Sequence, residues 1–498
     1  MIVPKKYILL LTLISILLCI CIIQNVNDSD RNETFLEFTT SDIDLETINI
    51  VKKQTKTTTK LTEIYKIKRN DISIGMLSLN KHVMNNFDIY YIIEYKPLIN
   101  HKDNLEIILP IKLNEPNYHY LSYEGKINYN NSKWVNGKYT KAFNLPKSSL
   151  ILNDEKKSCF LSYASVYYTQ DKKVRKEDYK LSKPLKIIDK GIVVSLPNID
   201  NAIIEQWGII SEHPLIDWEN KEVTKILKRM DLNRVRKWGK DGLYYKTPKS
   251  YYPTSENSYW LNPACHVGNK FIEDKGQRFF EDFSKISLVT ASDTQNKKGI
   301  WYSTPRSKWL YKDYSIDGPF YDTRFNTDAA LFLLKGFDKF KDKRFLHKAV
   351  KYGDFLLEYA EKHKYVTKNG GYLIWDYSNK NLSPIPNHVS LNHLITEMNF
   401  LYELYLRTEK IKYLDLGNKI KKAIRDTKND WIREDNGDLH YAHLKDGSYG
   451  LQDYKILTLN DLKYSQKLIK SIDGKKDDCF KFLIQSKERY LKNSNIKY

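Results

Sequence analysis

Four glycine-led aromatic segments recur in the second half of this chain, and they constrain the fold more than any other feature. They lie roughly 55 to 75 residues apart, and the last two follow amphipathic helices. Such a repeat predicts a helical scaffold with aromatic hairpins at one end. Tyrosine and tryptophan match the flat apolar faces and hydroxyl edges of sugar rings, so the pattern indicates a carbohydrate cleft. Ordinary packing is the alternative, because the chain has 37 tyrosines. The segments are residues 241–248, 298–305, 370–377 and 436–443.

The length and charge of the chain limit the number of domains and the kinds of partner that can be expected. With 498 residues, it exceeds one typical core and predicts two domains plus a tail. A balance of 81 Lys+Arg against 61 Asp+Glu gives a net charge of +20, which favours nucleic acid, anionic membrane or acidic polysaccharide as a partner. A lysine-rich solvated surface is the alternative. The sequence has no RNA-module signature, zinc finger or continuous basic helix, which argues against nucleic acid.

The amino terminus has the pattern of a membrane anchor. Lys5 and Lys6 precede an uncharged apolar run from Tyr7 to Ile23, which is about the minimum length for a membrane-spanning helix. We expect an uncleaved signal anchor there, with a removed signal peptide as the alternative. Residues 1–6 would then be cytoplasmic, and the bulk of the chain would lie outside the cytoplasm or in a lumen. Residues 24–60 are polar and threonine-rich, which predicts a flexible stalk without regular structure.

Cysteine usage gives no sign of a disulfide framework or a metal cluster. Only Cys159, Cys265 and Cys479 lie beyond the predicted anchor, an odd number at wide spacing. A phosphate-binding glycine loop is also missing from the sequence, and nothing suggests a nucleotide or redox cofactor. We therefore expect no cofactor and no metal.

The hydrophobic pattern divides the rest of the chain into two regions. Between 61 and 200 it has short strand-like runs, which predict a β-sandwich or small barrel. From about 205 the apolar period becomes helical, and the helices run in pairs. An incomplete or complete (α/α) toroid over 201–475 is the simplest arrangement that places the aromatic loops at one end. The predicted fold class is therefore α+β multidomain, with a basic tail at 476–498.

Three stretches of the helical region resemble the carboxy-terminal domain of the D-glucuronyl C5-epimerases. They are residues 321–330 with 345–349, residues 389–393 leading into 401–404, and residues 453–462. The resemblance covers roughly residues 205 to 470. It implies an isomerase that inverts C5 of glucuronic acid within a polymer to give iduronic acid, with heparosan as the default substrate.

That chemistry removes a proton beside a carboxylate and returns one to the opposite face of the ring. It needs two acid–base groups on opposite sides and a cation or donors for the enolate-like carboxylate. Tyrosine can serve as such a group. Its ordinary pKa is about 10, so a neighbouring Arg, Lys or His would be needed to make the anion accessible.

The resemblance implies three catalytic positions. Tyr454 matches the family segment that carries a catalytic tyrosine. The second position is Tyr441 or His440, because the register after the glycine-led turn is open by one residue. Tyr377 is the candidate for the third.

Five further residues are candidate substrate contacts. Arg324 and Arg306 could each pair with an acidic group of the polymer, with an ion pair to a nearby Asp as the structural alternative. The others are Tyr321, Asn392 and Trp375. Asn392 could equally be a structural hydrogen bonder.

Other functions remain open at the level of the sequence. A polysaccharide lyase removes the same proton but then expels the neighbouring glycosidic oxygen. A glycoside hydrolase would need two carboxylates across the cleft, for which Asp322, Asp376 and Asp453 are available. A membrane-anchored polysaccharide-binding surface protein would need neither a pair of acid–base groups nor a pair of carboxylates. We also expect an acidic polysaccharide partner and no nucleic acid, and a homodimer is a candidate oligomeric state.

Overall fold

The computed structural model describes residues 35–141, 143–171, 174–263 and 265–498. The predicted anchor at 7–23 lies outside the described residues. Within the described ranges, none of the helices is both long and apolar enough to cross a membrane. In place of the predicted structureless stalk, a strand covers Ile43–Gln54. Almost all of its side chains are exposed, so the polar composition reflects an edge strand that has backbone pairing on one side only.

The amino-terminal half is built from strands. In chain order they are β1 Glu37–Phe38, β2 Ile43–Gln54, β3 Thr58–Arg69, β4 Ile72–Met84, β5 Ile89–Pro97, β6 Leu105–Leu109, β7 Asn117–Tyr123, β8 Ser132–Lys138, β9 Leu150–Asn153, β10 Ser158–Leu161, β11 Ser165–Gln170, β12 Val174–Glu177, β13 Lys186–Ile188, β14 Gly191–Leu196, β15 Ile203–Ser211, β16 Arg236–Gly239, β17 Gly242–Lys246, β18 Tyr251–Tyr252 and β19 Ser258–Asn262. A short 3-10 helix covers Tyr129–Asn131.

All of these strands except β18, which pairs with a later strand at Arg306–Ser307, form one large sheet and one small one. The small sheet has the order β1-β6-β14-β13. The large sheet has 14 strands in the order β16-β17-β19-β12-β11-β15-β10-β9-β7-β8, and β2, β3, β4 and β5 form an arm that joins it at β15. Strand β15 pairs with β5, β10 and β11 in turn, so it is the hub of the sheet. The sequence-based boundary near residue 201 therefore falls just before this central strand.

Alternation along β5 shows how the two halves of the protein are joined. Tyr91 and Ile93 face the small sheet, where they pack into a core shared with β6 and β14. Tyr90 and Ile92 point to the opposite face and pack into the core of the helical region. Because successive strand residues point to opposite faces, both faces of the large sheet are covered. The described chain thus has three layers: small sheet, large sheet and helices.

The carboxy-terminal half is helical, with short strands in its loops. The helices are α1 Lys221–Met230, α2 Cys265–Phe271, α3 Arg278–Thr294, α4 Lys308–Tyr314, α5 Thr323–Phe340, α6 Lys343–Lys362, α7 Leu391–Thr408, α8 Ile411–Asp426, α9 Leu457–Asp473 and α10 Asp478–Asn493. The loop strands are β20 Arg306–Ser307, β21 Phe320–Asp322, β22 Lys364–Val366, β23 Tyr372–Ile374, β24 Tyr377–Asn379, β25 Val389–Ser390, β26 His440–His443 and β27 Tyr449–Gln452.

The helices form two rows. An inner row of α3, α5, α7 and α9 is packed side by side, and α6, α8 and α10 each pair with the preceding inner helix. The paired arrangement that periodicity predicts is therefore present over the described residues. The row follows the order of the chain from α3 to α9, which corresponds to the incomplete form of the predicted toroid.

The aromatic segments do not occupy equivalent places. Residues 242–246 form strand β17 of the large sheet, ahead of the paired helices. The last two segments lie between helix pairs, and each begins at a turn where glycine has a positive φ of 83° at Gly370 and 75° at Gly437. A residue with a side chain is strained in that conformation, so glycine starts both segments. These two segments lie in the loops that precede the inner helices α7 and α9.

Candidate functional site

The candidate site lies where three inner helices begin. Asp322 precedes α5, Ser390 precedes α7 and Ile456 precedes α9. The loops before α7 and α9 hold β24 and β26, and β26 pairs with β25. Side chains from two aromatic loops and three helix starts therefore meet at one end of the helical rows.

Three tyrosines form the centre of the site. The ring centroids of Tyr441 and Tyr454 are 5.8 Å apart, with the rings nearly perpendicular. The ring of His388 lies 6.1 Å from Tyr441 and 5.4 Å from Tyr377. The structure thus brings together Tyr377, Tyr441 and Tyr454, which the sequence places in two separate loops.

The tyrosines differ in their access to solvent. Tyr454 is 52% exposed, Tyr441 is half-buried and Tyr377 is 6% exposed. Burial is the main cause that raises the pKa of all three phenols, and neighbouring carboxyls and tyrosines raise them further. Each phenol therefore holds its proton at neutral pH and can donate it. Tyr454 is therefore the most accessible of the three phenols.

A fully buried carboxyl lies beneath the tyrosines. The Oδ1 atom of Asp376 accepts the backbone N–H of Ser390 at 2.9 Å, and the Ser390 hydroxyl donates to Oδ2. Because this hydroxyl is directed at Asp376, Ser390 makes no side-chain capping bond to helix α7, although it occupies the N-cap position. Burial raises the pKa of Asp376 well above its ordinary value, and the bonds from Ser390 oppose that shift. The Ser390 hydroxyl also lies beside Tyr441 and lowers its pKa, so Ser390 connects the two.

Two buried histidines flank the same carboxyl. The Nε2 atom of His388 is 3.4 Å and the Nδ1 atom of His393 is 3.5 Å from Asp376 Oδ2. His388 Nδ1 also lies 2.9 Å from the hydroxyl of Tyr314, and His393 Nδ1 lies 2.9 Å from that of Thr323. Burial lowers the pKa of His388 to about 4 and that of His393 well below its usual range. Both rings are therefore neutral near pH 7.

Asp322 adds a second perturbed carboxyl to the site. It faces Tyr377 across the β21–β24 pair, and it caps helix α5 by accepting the Phe325 N–H at 2.9 Å. Burial raises the pKa of Asp322 to about 7. Its negative charge in turn raises the pKa of Tyr377 and Tyr454.

Both candidate arginines have carboxylate partners. The Arg324 guanidinium bonds Asp461 at 2.7 Å and Asp328 at 3.1 Å, and its side chain is only 12% exposed. It remains close enough to Tyr454 to lower the pKa of that phenol. Arg306 makes a two-pronged bond to Asp317 at 2.7 and 3.0 Å and lies over the Tyr311 ring. Both arginines therefore form the ion pair with a nearby Asp that the sequence left open. Of the two, Arg324 acts electrostatically on Tyr454.

The remaining sequence candidates lie in different surroundings. Tyr321 is fully buried, with its hydroxyl 3.1 Å from that of Tyr352 in the helical core. His440 precedes Tyr441 on strand β26, so its side chain points to the other face, where Arg433 and Asp435 affect its pKa. Asn392 and Trp375 are buried, and Asn392 Oδ1 and Trp375 Nε1 have no hydrogen-bond partner within the described residues.

The carboxylates named for hydrolysis are not exposed across a cleft. Asp322 and Asp453 are 6% and 5% exposed, and Asp376 is fully buried. Asp453 forms an ion pair of 2.8 Å with Lys487, whose side chain is also fully buried. A hydrolytic pair must flank the scissile bond with room for sugar or water between the two groups. The environment of these three residues does not provide that arrangement.

Sequence reasoning missed the roles of Ser390, His388 and His393 in this site. All three residues lie in the short polar stretch 387–393, and that clustering is the sequence feature that could have indicated them. Asn387, at the start of the stretch, fixes Tyr377 through two bonds between its side-chain amide and the Tyr377 backbone, of 3.0 and 2.8 Å. Over the described ranges, no group of three or more His, Cys, Asp or Glu side chains is arranged to hold a metal ion. The cysteines at 159, 265 and 479 are buried and free.

Comparison with known proteins gives remote structural similarities. No family model and no curated protein matches the chain. Among solved structures, a family 76 glycoside hydrolase from a bovine Bacteroides thetaiotaomicron strain matches at 11% identity, with a TM-score of 0.39, over 80% of this chain and 74% of that one.

Two sugar isomerases and epimerases also match. For D-mannose isomerase the identity is 14% and the TM-score is 0.35, over 46% of this chain and 59% of that one. Cellobiose 2-epimerase from Bacillus thermoamylovorans has 11% identity and a TM-score of 0.35, over 46% of this chain and 58% of that one. The chain thus spans less than two thirds of either protein. All three TM-scores lie below 0.5, and the function proposed below rests on the site and on the sequence resemblance.

Proposed function

We propose that this protein is a C5-epimerase that converts D-glucuronic acid to L-iduronic acid residues within an acidic polysaccharide of the heparosan type. The observation that carries the proposal is the convergence of Tyr377, Tyr441 and Tyr454 on one buried carboxyl and two neutral histidines. The resemblance to the epimerase family implies catalytic tyrosines at these same positions. The site therefore has the acid–base groups that the reaction needs.

Tyr454 is the proposed acid. It is the most exposed phenol of the cluster, and its raised pKa keeps it protonated at neutral pH. A protonated phenol can deliver a proton to C5 from the solvent-facing side, and Arg324 favours the tyrosinate that remains. The charge of Arg324 is shared with Asp461 and Asp328, which limits that assistance.

Tyr441 is the proposed base, and it acts with Asp376. The Ser390 hydroxyl lies between the two and donates to Asp376. If the Tyr441 proton passes through Ser390 to Asp376, the phenolate that results can remove the C5 proton from the opposite face. The raised pKa of Asp376 makes it a better proton acceptor than an ordinary aspartate. His388 and His393 lie 3.4 and 3.5 Å from the carboxyl and, being neutral, add no positive charge beside it.

The polymer and the location of the protein are further parts of the proposal. A net charge of +20 suits an acidic polysaccharide. The anchor predicted at 7–23 would hold the protein at a membrane with the catalytic part extracytoplasmic or luminal.

A polysaccharide lyase shares the first half of this mechanism, so the products must distinguish the two reactions. The full-length chain in neutral detergent is incubated with heparosan, and iduronic acid content, chain length and ultraviolet absorbance are followed together. An epimerase produces iduronic acid without shortening the chain or creating unsaturation. Shortening with unsaturation would identify a lyase, and shortening without it a hydrolase.

A further inference from the structure

A basic cluster on the β region, far along the chain from the tyrosines, consists of Lys147, Lys183 and Arg234. All three residues are half-buried. Lys147 and Arg234 contact the ring of Tyr179, and Lys183 lies close enough to Lys147 to act on it electrostatically. Lys147 Nζ lies 4.4 Å from the centre of that ring, and the Arg234 guanidinium carbon lies 4.0 Å from it. The tyrosine is thus contacted by two cations at once.

Hydrogen bonds hold this cluster in one geometry. Lys147 donates to the Tyr179 carbonyl at 2.7 Å, and Arg234 donates to the Tyr179 hydroxyl at 2.5 Å. The same hydroxyl donates to the Lys147 carbonyl at 3.2 Å, and Arg234 also reaches that carbonyl at 3.3 Å. Two of the cations are therefore fixed by neutral groups before any ligand arrives.

None of the three cations forms an ion pair with a carboxylate of the described residues, although most buried cations of this chain do. Two acids, Glu177 and Asp178, act on Lys147 electrostatically without bonding it. Glu177 accepts bonds from Lys237 at 2.8 Å and from Tyr163 at 2.7 Å, and Asp178 accepts the backbone N–H groups of Lys180 and Leu181 at 3.0 and 3.1 Å. Burial lowers the pKa of Lys147, and the charges of Arg234 and Lys183 lower it further. The charges of Glu177 and Asp178 offset this only in part. Like charges held together without a directly bonded carboxylate repel one another, and a bound anion relieves that repulsion.

We propose that Lys147, Lys183 and Arg234 form a binding site for the carboxylate and sulfate groups of an acidic polysaccharide, separate from the tyrosine site. The preference for a polysaccharide over other polyanions rests on the proposed function. Arginine binds planar carboxylate and tetrahedral sulfate groups through two N–H bonds, and the Tyr179 ring provides an apolar wall for the sugar face. Such a site would hold the polymer while a different part of it enters the tyrosine cluster.

Binding is tested without reference to catalysis. The full-length chain in neutral detergent is titrated with heparosan, heparin and double-stranded DNA at several salt concentrations. The variant K147Q/K183Q/R234Q is compared with K475Q/K476Q/R489Q, which removes the same three charges from exposed positions of the carboxy-terminal region. We expect roughly five- to tenfold weaker heparosan and heparin binding and a smaller salt dependence for the first variant, and less than about a twofold change for the second.

Two results would overturn the proposal. The first is the absence of a selective loss: equal losses in both variants would show that only overall charge matters, and no loss in the first variant would show that the cluster does not bind the polymer. Equal loss of heparin and DNA binding in the first variant would indicate a general polyanion surface. Because Lys147 and Arg234 also hold Tyr179, a further variant carries the single substitution K183Q. Its side chain has no bonded partner in the described residues, so it should keep the wild-type melting temperature and still weaken heparosan binding about two- to threefold.

The binding experiment and the test for iduronic acid formation can fail independently of each other. If wild-type protein binds heparosan through the cluster but forms no iduronic acid, the site stands and the proposed reaction fails. If iduronic acid forms while the variants bind normally, the reaction stands and the cluster is not a polysaccharide site.

Discussion

Asp376 accepts the backbone N–H of Ser390 at 2.9 Å and the Ser390 hydroxyl as well, and this pairing joins the loop before β24 to the first turn of helix α7. A serine at an N-cap would ordinarily accept a bond from its own helix. Here the Ser390 hydroxyl donates to the buried carboxyl of Asp376, which lies beneath three tyrosines. The Ser390 hydroxyl therefore bonds Asp376 and leaves helix α7 without a side-chain cap.

Replacing Tyr454 by phenylalanine should abolish most activity and leave the fold intact. The hydroxyl is the proposed acid, and general acid catalysis by one group contributes about 10²–10⁴-fold to the rate. The side chain is 52% exposed, so the melting temperature should not change. The matched control is Tyr498→Phe, since Tyr498 is 56% exposed and lies in the carboxy-terminal segment. Steady-state rates of iduronic acid formation check this, and equal rates for Y454F and wild type would exclude Tyr454 as the acid.

Replacing Asp376 by asparagine tests whether the buried carboxyl takes part in proton transfer. Asparagine has nearly the same shape, so the loop should hold, but it cannot take the Tyr441 proton. We expect kcat to fall by about 10²–10⁴-fold with KM changed little. Asp446→Asn, an exposed substitution in the loop that follows β26, is the control. A kcat within twofold of wild type for D376N would leave Asp376 a structural role only.

Replacing Lys487 by methionine should destabilise the protein severely. The ammonium is fully buried and bonds Asp438 at 2.6 Å and Asp453 at 2.8 Å, one residue before Tyr454. Removing one member of a buried ion pair typically costs about 3–5 kcal/mol because the remaining charge is left unpaired. Lys463→Met removes an exposed pair of 2.7 Å with Glu488 and should cost at most about 1 kcal/mol. Urea unfolding of both variants gives the comparison, and similar losses in the two would contradict this account.

The contribution of Asp282 to the stability of the protein should fall as pH rises from about 4 to about 8, whereas the buried histidines, whose pKa values burial lowers, act in the opposite direction below their ordinary pKa of 6.5. Burial and the neighbouring Asp88 raise the pKa of Asp282 to about 8, so the folded state retains a proton that the unfolded state releases above its ordinary pKa of 3.8. At Asp282 the folded state binds more protons throughout that window, and its contribution to the free energy of unfolding therefore decreases with pH, by at most about 1.4 kcal/mol per unit for one such group. Burial raises the pKa of Asp322 to about 7 and acts in the same direction.

The variant Asp282→Asn isolates this contribution. Its unfolding free energy should depend less steeply on pH, and it should gain most relative to wild type near pH 8. Urea unfolding at pH 5, 6.5 and 8 measures the difference. Parallel curves for the variant and the wild type would mean that Asp282 ionises normally in the folded protein.

The helices were predictable because their buried apolar residues recur at the spacing of one helix face. Ala330, Leu333 and Leu334 are spaced for one helix face, and all three are buried on α5 as that spacing requires. Strand β2 was not predictable in the same way. Its side chains are almost all exposed, so no alternation of apolar and polar residues distinguishes it from a linker.

The candidate site was only partly predictable from the sequence. Tyr377, Tyr441 and Tyr454 were named from a family resemblance, whereas the pairing of Asp376 with Ser390 depends on two loops that meet only in the folded chain. Burial likewise decides the charge of His388, and no local pattern reports it. The register at 440–441 illustrates the limit, since only the strand geometry tells which of the two side chains faces Tyr454.

The most direct test of the central claim is solvent deuterium incorporation at C5. Full-length wild-type protein and Y454F are incubated with heparosan in heavy water, and the polymer is analysed for deuterium at C5 together with its length and unsaturation. The account predicts deuterium at C5 with unchanged length and no unsaturation for wild type, and a large loss of that incorporation for Y454F. A wild-type protein that incorporates no deuterium, or that shortens the polymer, would contradict it.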